Sequence, residues 1–241
     1  MTNMSGPDAK AGLRDVFAPN VFAKAWQKTH GFRRYGLVGA LALIVLTGAV
    51  TFNRSQPRII VAFGDSYFSG YGLDPTESFP VQFEKALRKR GHDARVVNEG
   101  VPGETLADGL ARLDRTLAKK PDLIILELGE NDAEQGLDPA ISRENLDTML
   151  ARIRAAHVKV LLCGALAPEE SGEVYQASFN PIYREMAAKH QVPLYRFILD
   201  GVWQDAALKQ DDGEHPNNQG VQVMVDRILP VVEKALKPKH R

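Results

Sequence analysis

The sequence predicts an α/β domain from residue 57 onward, a three-layer α/β/α sandwich around a five-stranded parallel sheet. Two observations carry that prediction. Short β-branched apolar runs alternate with amphipathic stretches of helix length, and the runs are continuously apolar, as strands covered on both faces must be. A third observation adds function to fold: the unusual polar residues fall where these runs end, and ligands of parallel sheets bind beyond the carboxyl ends of the strands.

Arg58–Phe63 (RIIVAF) is the first strand. Phe79–Lys89 is a helix, with Ser78 as its N-cap and Gly91 beyond its end. Ala94–Asn98 is the second strand. Leu106–Lys119 follows as a helix, with Leu106, Leu110, Leu113 and Leu117 on one face. Pro121 introduces the third strand, Leu123–Leu128, and Asn145–Ala155 is the next helix. Val158–Cys163 is the fourth strand. Tyr175–His190 has helical character, with Pro181 tolerable near a start or at a kink. Pro193–Phe197 is a short fifth strand, and Asn218–Ala235 is the closing helix.

A different kind of segment precedes the domain. Nineteen residues without a charge, Tyr35 to Asn53, include LVGALALIVLTGAV. A helix of that length is about 28 Å long, close to the roughly 30 Å of bilayer hydrocarbon. Lys24, Lys28, Arg33 and Arg34 precede it, so residues 1–34 are expected in the cytoplasm, with 35–53 as a transmembrane signal-anchor. The expectation is therefore a membrane partner through the N-terminal helix and a single-pass inner-membrane location, the catalytic domain facing the periplasm. Cleavage near Thr47-Gly48-Ala49, releasing the domain to the periplasm, is the alternative.

Composition removes other classes. Formal net charge is zero overall, but residues 1–56 hold seven basic and two acidic side chains, so the domain itself is acidic. An acidic domain argues against a nucleic-acid partner. The single cysteine, Cys163, excludes an intrachain disulfide and falls in an apolar run suited to a buried thiol. There is no Gly-x-Ser-x-Gly elbow, no lysine-bearing phosphate loop and no His-Glu-x-x-His, so no cofactor or metal is expected.

The strand ends carry the chemistry. The first ends in Gly64-Asp65-Ser66, the second is followed by Gly100, Gly103 and Glu104-Thr105, and the third by Gly129-Glu130-Asn131-Asp132. Asp212-Gly213-Glu214-His215-Pro216-Asn217 lies just before the last helix. Each block alone suits a turn. Together they supply a hydroxyl, an imidazole, a carboxylate three residues from it, and amide donors.

These blocks (FGDSYFSGYG, VVNEGVPGETLADGLARL, ILELGEND and DDGEHPNNQG) resemble those of the SGNH hydrolases, also called GDSL-like lipases and esterases. The likeness is strongest to the bacterial subgroup of multifunctional esterases, thioesterases I/lysophospholipases L1 and arylesterases, and spans about Ile59 to Leu236. It implies a flavodoxin-like strand order 2-1-3-4-5. It implies Ser66 as nucleophile, His215 as base and Asp212 as its orienting carboxylate. It further implies an oxyanion hole from Ser66, Gly103 and Asn131. Glu130 departs from the resemblance, standing where close relatives commonly have glycine, and Tyr67-Phe68 replaces smaller residues. Asp65 and Asp132 are expected to support the site. Tyr67, Phe68, Tyr71 and Glu130 are expected near an acyl pocket, with coverage of the sheet edge as the alternative role of the three aromatic residues.

A serine hydroxyl needs a base to become nucleophilic, and a neutral imidazole held by a carboxylate supplies one. The expected substrates are small acyl esters, thioesters or lysophospholipids. Deacetylation of a carbohydrate or cell-envelope polymer uses the same groups and is the alternative, and a tethered non-enzymatic module is a third reading.

Overall fold

The computed structural model describes residues 56–237. Five parallel strands form one sheet in the order β2-β1-β3-β4-β5: β1 Arg58–Gly64, β2 Ala94–Gly100, β3 Leu123–Leu126, β4 Lys159–Cys163 and β5 Leu194–Tyr195. This is the expected three-layer α/β/α sandwich and the expected order. The eight α-helices among the described residues are α1 Ser66–Ser69, α2 Phe79–Lys89, α3 Leu106–Leu117, α4 Glu130–Glu134, α5 Pro139–Ala155, α6 Glu173–Phe179, α7 Ile182–His190 and α8 Asn218–Leu236.

Alternate residues of β1 feed two cores. Ile60 and Ala62 pack on one side with Phe79, Phe83 and Leu87 of α2 and Val221, Val225 and Ile228 of α8. Val61 and Phe63 pack on the other with Leu113 of α3, Met149 and Ile153 of α5 and Ile182 of α7. Each of these side chains is buried, which is why the strands lack the polar alternation of a half-exposed sheet.

The ends of elements follow local chemistry. α3 opens on a capping box, in which the Asp108 N–H donates to Thr105 Oγ1 and the Thr105 N–H donates to Asp108 Oδ2. α5 begins six residues before the expected Asn145, because Asp138 caps it by accepting from the Ala140 N–H and Pro139 occupies its first turn. The expected helix over Tyr175–His190 is two helices. Asn180 and Pro181 separate α6 from α7, since proline has no N–H for a continuing ladder. β5 keeps only Leu194–Tyr195 of the expected Pro193–Phe197. Ser78 stands at the N-cap of α2, but its hydroxyl donates to the Pro75 carbonyl instead of capping.

The expected signal-anchor, with the membrane as partner and the inner membrane as location, requires correction. Among the described residues no helix is long and apolar enough to cross a membrane. The longest, α8, has 19 residues but carries Asp226, Arg227, Glu233 and Lys234, charges that hydrocarbon would have to absorb. Residues 1–34, the transmembrane expectation at 35–53 and the cleavage alternative lie outside the described residues.

Gly64 closes β1 where Glu127 approaches it. A Cβ there would stand 2.5 Å from Glu127 Oε2 and 2.7 Å from the Glu127 carbonyl oxygen. Gly64→Ala is expected to lower stability by about 2 kcal/mol, the usual cost of overpacking. A shift in the urea unfolding midpoint would measure it, and an unchanged midpoint would show that the junction is not tightly packed.

Candidate active site

The site is assembled at the carboxyl ends of the three adjacent strands β2, β1 and β3, joined by the loop that precedes α8. Asp65 and Ser66 follow β1 directly. Asp65 is buried and caps the single turn of α1 by accepting from the Tyr67 N–H at 3.1 Å. Ser66 is half-buried in the first position of that turn, where helix N–H groups have no acceptor within the helix. Ser69 Oγ donates to the Ser66 carbonyl at 3.0 Å, which fixes the far side of the turn.

Asn131 approaches from α4. Its Nδ2 donates to Asp65 Oδ2 at 3.2 Å and to the Glu104 carbonyl at 3.1 Å. One amide thus joins the neighbour of Ser66 to the neighbour of Gly103. Gly103 is exposed and adopts φ +81°, a conformation that favours glycine. Asp132 faces away from this cluster: its carboxylate accepts from the Leu106 N–H at 2.8 Å and from Ser142 Oγ at 2.8 Å, tying α4 to the starts of α3 and α5.

The imidazole comes from the opposite side. His215 Nδ1 lies 2.8 Å from Asp212 Oδ2, while Asp212 Oδ1 accepts from the N–H groups of Glu214 and His215. Burial pushes the Asp212 carboxyl up, but those N–H groups and the imidazole outweigh it and hold the carboxyl below its ordinary value. The loop is clamped onto the fold. The Gln210 N–H donates to the His215 carbonyl, Asn217 Nδ2 donates to the carbonyls of Ala207 and Lys209, and Gln210 Nε2 reaches the Tyr71 carbonyl at 2.8 Å. Gln210 therefore ties the histidine loop to the segment following Ser66.

One neighbour of Ser66 faces this imidazole: the Tyr67 ring lies 5.7 Å from it, centroid to centroid. Tyr71 covers another side at 4.7 Å and is 51% exposed. Ser66 Oγ and His215 Nε2 are not hydrogen-bonded here; such bonds commonly tighten only when substrate binds. Phe68 is not at the surface of the site: it is fully buried and stacked on Phe79 at 4.5 Å.

Buried carboxyls underlie the cluster. The Asp65 N–H donates to Glu127 Oε2 at 3.3 Å, and both side chains are inaccessible to water. Burial pushes Asp65 up to about 6 and Glu127 well above the carboxylate range. Glu130 is 5% exposed, its Oε2 has no hydrogen-bond partner, and burial again drives its carboxyl well above the ordinary 4.5. The Glu130 carboxyl beside Asn131 is thus harder to ionise than its residue type suggests.

A family profile described as GDSL-like lipase/acylhydrolase matches residues 62–223, a span that includes Ser66, Gly103, Asn131, Asp212 and His215. The chain belongs to this GDSL-like acylhydrolase family. Relatives bear this out along the domain. Esterase TesA of Pseudomonas aeruginosa is 35% identical over 83% of this chain and 98% of its own. Thioesterase 1/protease 1/lysophospholipase L1 of Escherichia coli is 30% identical over 73% of this chain and 84% of its own. Among solved structures, the SGNH-hydrolase family esterase AlinE4 is 42% identical with a TM-score of 0.64, covering 76% of this chain and 99% of its own. The acylhydrolase is accordingly a carboxylic ester hydrolase.

Four residues of the acylhydrolase site were not singled out in the sequence. Arg112 of α3 donates through Nε to Glu104 and through a terminal nitrogen to the carbonyls of Gly64 and Glu99, bracing the ends of β1 and β2. Its signal was only one arginine in an amphipathic helix. Glu127 was legible as a lone carboxylate in the apolar run LIILEL. Glu134 and Glu214 carry no signal beyond that of surface acids, and the fold sets Glu214 Oε1 3.9 Å from His215 Nε2.

Glu130 makes stability depend on pH. The folded chain holds this proton to higher pH than the unfolded chain does, so the folded state binds more protons and stability falls as pH rises above about 4.5. Gln cannot ionise, so the melting temperature of Glu130→Gln is expected to gain on wild type progressively as pH rises above about 5. A constant difference in calorimetric scans across that range would show that the Glu130 carboxyl is not harder to ionise.

Proposed function

We propose that Ser66, His215 and Asp212 are the catalytic triad of a serine esterase and thioesterase, with the N–H groups of Ser66 and Gly103 and the Asn131 amide as oxyanion hole. The observation that carries this is the 2.8 Å Asp212–His215 bond on a loop clamped against the residues that flank Ser66.

The chemistry follows from the positions. Asp212 accepts from Nδ1–H, which leaves Nε2 unprotonated and available to the serine. As Ser66 Oγ attacks the acyl carbon, Nε2 takes its proton, and the carbonyl oxygen becomes an anion. Nε2–H then gives that proton to the departing alcohol or thiol, leaving an acyl-serine ester. Water attacks the acyl-serine by the same route in reverse, and Ser66 recovers its proton. Asn131 already spends its Nδ2 protons on Asp65 and Glu104. Stabilising the oxyanion therefore requires one of these bonds to be shared with it.

Small acyl esters, thioesters and lysophospholipids are the substrate class. The names of the relatives (esterase, arylesterase, thioesterase 1/lysophospholipase L1) support it. So does a chemistry in which only the leaving atom changes between ester and thioester.

Ser66→Ala is expected to abolish both p-nitrophenyl ester hydrolysis and covalent labelling by a fluorophosphonate. Retained labelling at another residue would overturn the assignment of the nucleophile. Asn131→Ala is expected to lower kcat by about a hundredfold or more, the usual loss of one oxyanion donor. A kcat within a fewfold of wild type in steady-state assays would remove Asn131 from the oxyanion hole.

A further inference from the structure

A single guanidinium bonds to the chain beside each donor assigned to the oxyanion hole. Arg112 lies in the second turn of α3, and helical side chains lean toward the helix N-terminus, so it reaches back to Glu104. Its Nε lies 2.9 Å and 2.6 Å from the two Glu104 carboxylate oxygens, and a terminal nitrogen lies 2.5 Å from Oε2. That terminal nitrogen also donates to the Gly64 carbonyl at 3.2 Å and to the Glu99 carbonyl at 3.0 Å. The guanidinium carbon rests 3.9 Å from the centre of the Phe63 ring. Little of either side chain meets water, 13% of Arg112 and 15% of Glu104. Forked, charge-assisted bonds in such a setting fix orientation as well as distance.

Each contact bears on a donor. Gly64 stands two residues before Ser66, and its carbonyl accepts from the Val101 N–H at 3.0 Å as well as from Arg112. Gly103 is held by no packing of its own: a Cβ there would meet nothing within 4 Å. Its peptide is held through its neighbour. The Glu104 N–H donates to the Val101 carbonyl at 3.3 Å, and the Glu104 carbonyl accepts from Asn131 Nδ2 at 3.1 Å. Among the described residues, the Glu104 carboxylate bonds only to Arg112. The grip on that carboxylate therefore reaches the Gly103 turn and the Asn131 amide together.

We propose that Arg112, acting through Glu104, is the positioning residue of the oxyanion hole, setting where the Gly103 N–H and the Asn131 amide meet the developing charge. This deepens the hydrolase reading and rests on it. Neither side chain hydrogen-bonds to Ser66, Asp212 or His215, so the nucleophile and base are untouched. Losing the pair weakens transition-state stabilisation and spares substrate binding, which places the defect in kcat and not in KM.

Two single variants of the full chain test it. Arg112→Lys keeps the charge and loses the fork, whereas Glu104→Gln keeps the shape and loses the charge. Each is expected to lower kcat for p-nitrophenyl butyrate about tenfold, with KM within about twofold and the pH midpoint of kcat/KM unchanged. The double variant is expected to lose no more than the worse single one, because both substitutions cut the same link. The matching thiono ester, with sulfur in place of the carbonyl oxygen, reports on the hole itself. Sulfur is the poorer acceptor, so each variant is expected to shrink the oxo-to-thiono ratio of kcat severalfold. A merely structural role slows both esters alike and leaves that ratio at its wild-type value, which overturns the inference. So does a Glu104→Gln kcat within about twofold of wild type, and this isosteric variant carries the test alone if circular dichroism shows Arg112→Lys unfolded. Fluorophosphonate labelling separates the two levels. A wild type that labels at Ser66 and hydrolyses the oxo ester, with variants that keep the ratio, loses only this inference. A wild type that neither labels nor hydrolyses loses the hydrolase reading with it.

Discussion

The arrangement of the site depends on the buried carboxyl of Asp65. It sits at the junction of β1 and α1, accepts from the Tyr67 N–H and the Asn131 amide, and its own N–H donates to Glu127. Burying a carboxyl is costly unless each oxygen finds a donor or the charge is removed. Here each oxygen has a donor, one from α1 and one from α4, and burial raises the proton affinity of Asp65 and Glu127 together. The serine turn and the Asn131 helix are therefore held by one group that neither could release without leaving a polar atom orphaned in the core.

Around that junction, the parallel sheet acts as a positioning device. β1 lies between β2 and β3, so the segments after three neighbouring strands emerge side by side. Arg112 braces the first two by donating to the carbonyls of Gly64 and Glu99, and Asn131 bridges to the third. His215 has no such strand beneath it. Its placement rests on Gln210 and Asn217, which bond the loop to itself and to the Tyr71 segment. The proposed triad thus combines a rigid half, built on sheet register, with a half held by side-chain hydrogen bonds.

The electrostatics of the site follow from the same packing. Burial raises the proton affinity of both Glu127 and Glu130, so the floor beneath Ser66 gives up its protons less readily than the sequence suggests. Nearer the surface, Glu214 places a carboxylate oxygen 3.9 Å from His215 Nε2.

Much of this was legible in the chain itself. Continuous apolar runs identified the five strands because burial on both faces leaves no polar alternation, and the polar blocks at their ends marked Ser66, Gly103, Asn131, Asp212 and His215 as groups to be brought together. The capped start of α5 at Asp138-Pro139 and the break at Pro181 were also written locally, in residues with known preferences. Other features were settled only by tertiary contact. Tyr67 and Phe68 follow Ser66 in succession, yet Phe68 stacks in the core and Tyr67 faces the imidazole. The raised proton affinity of Glu130 has no local signature. Residue type and spacing report what a segment prefers, whereas proton affinity and contact depend on the groups that distant segments bring within a few ångströms.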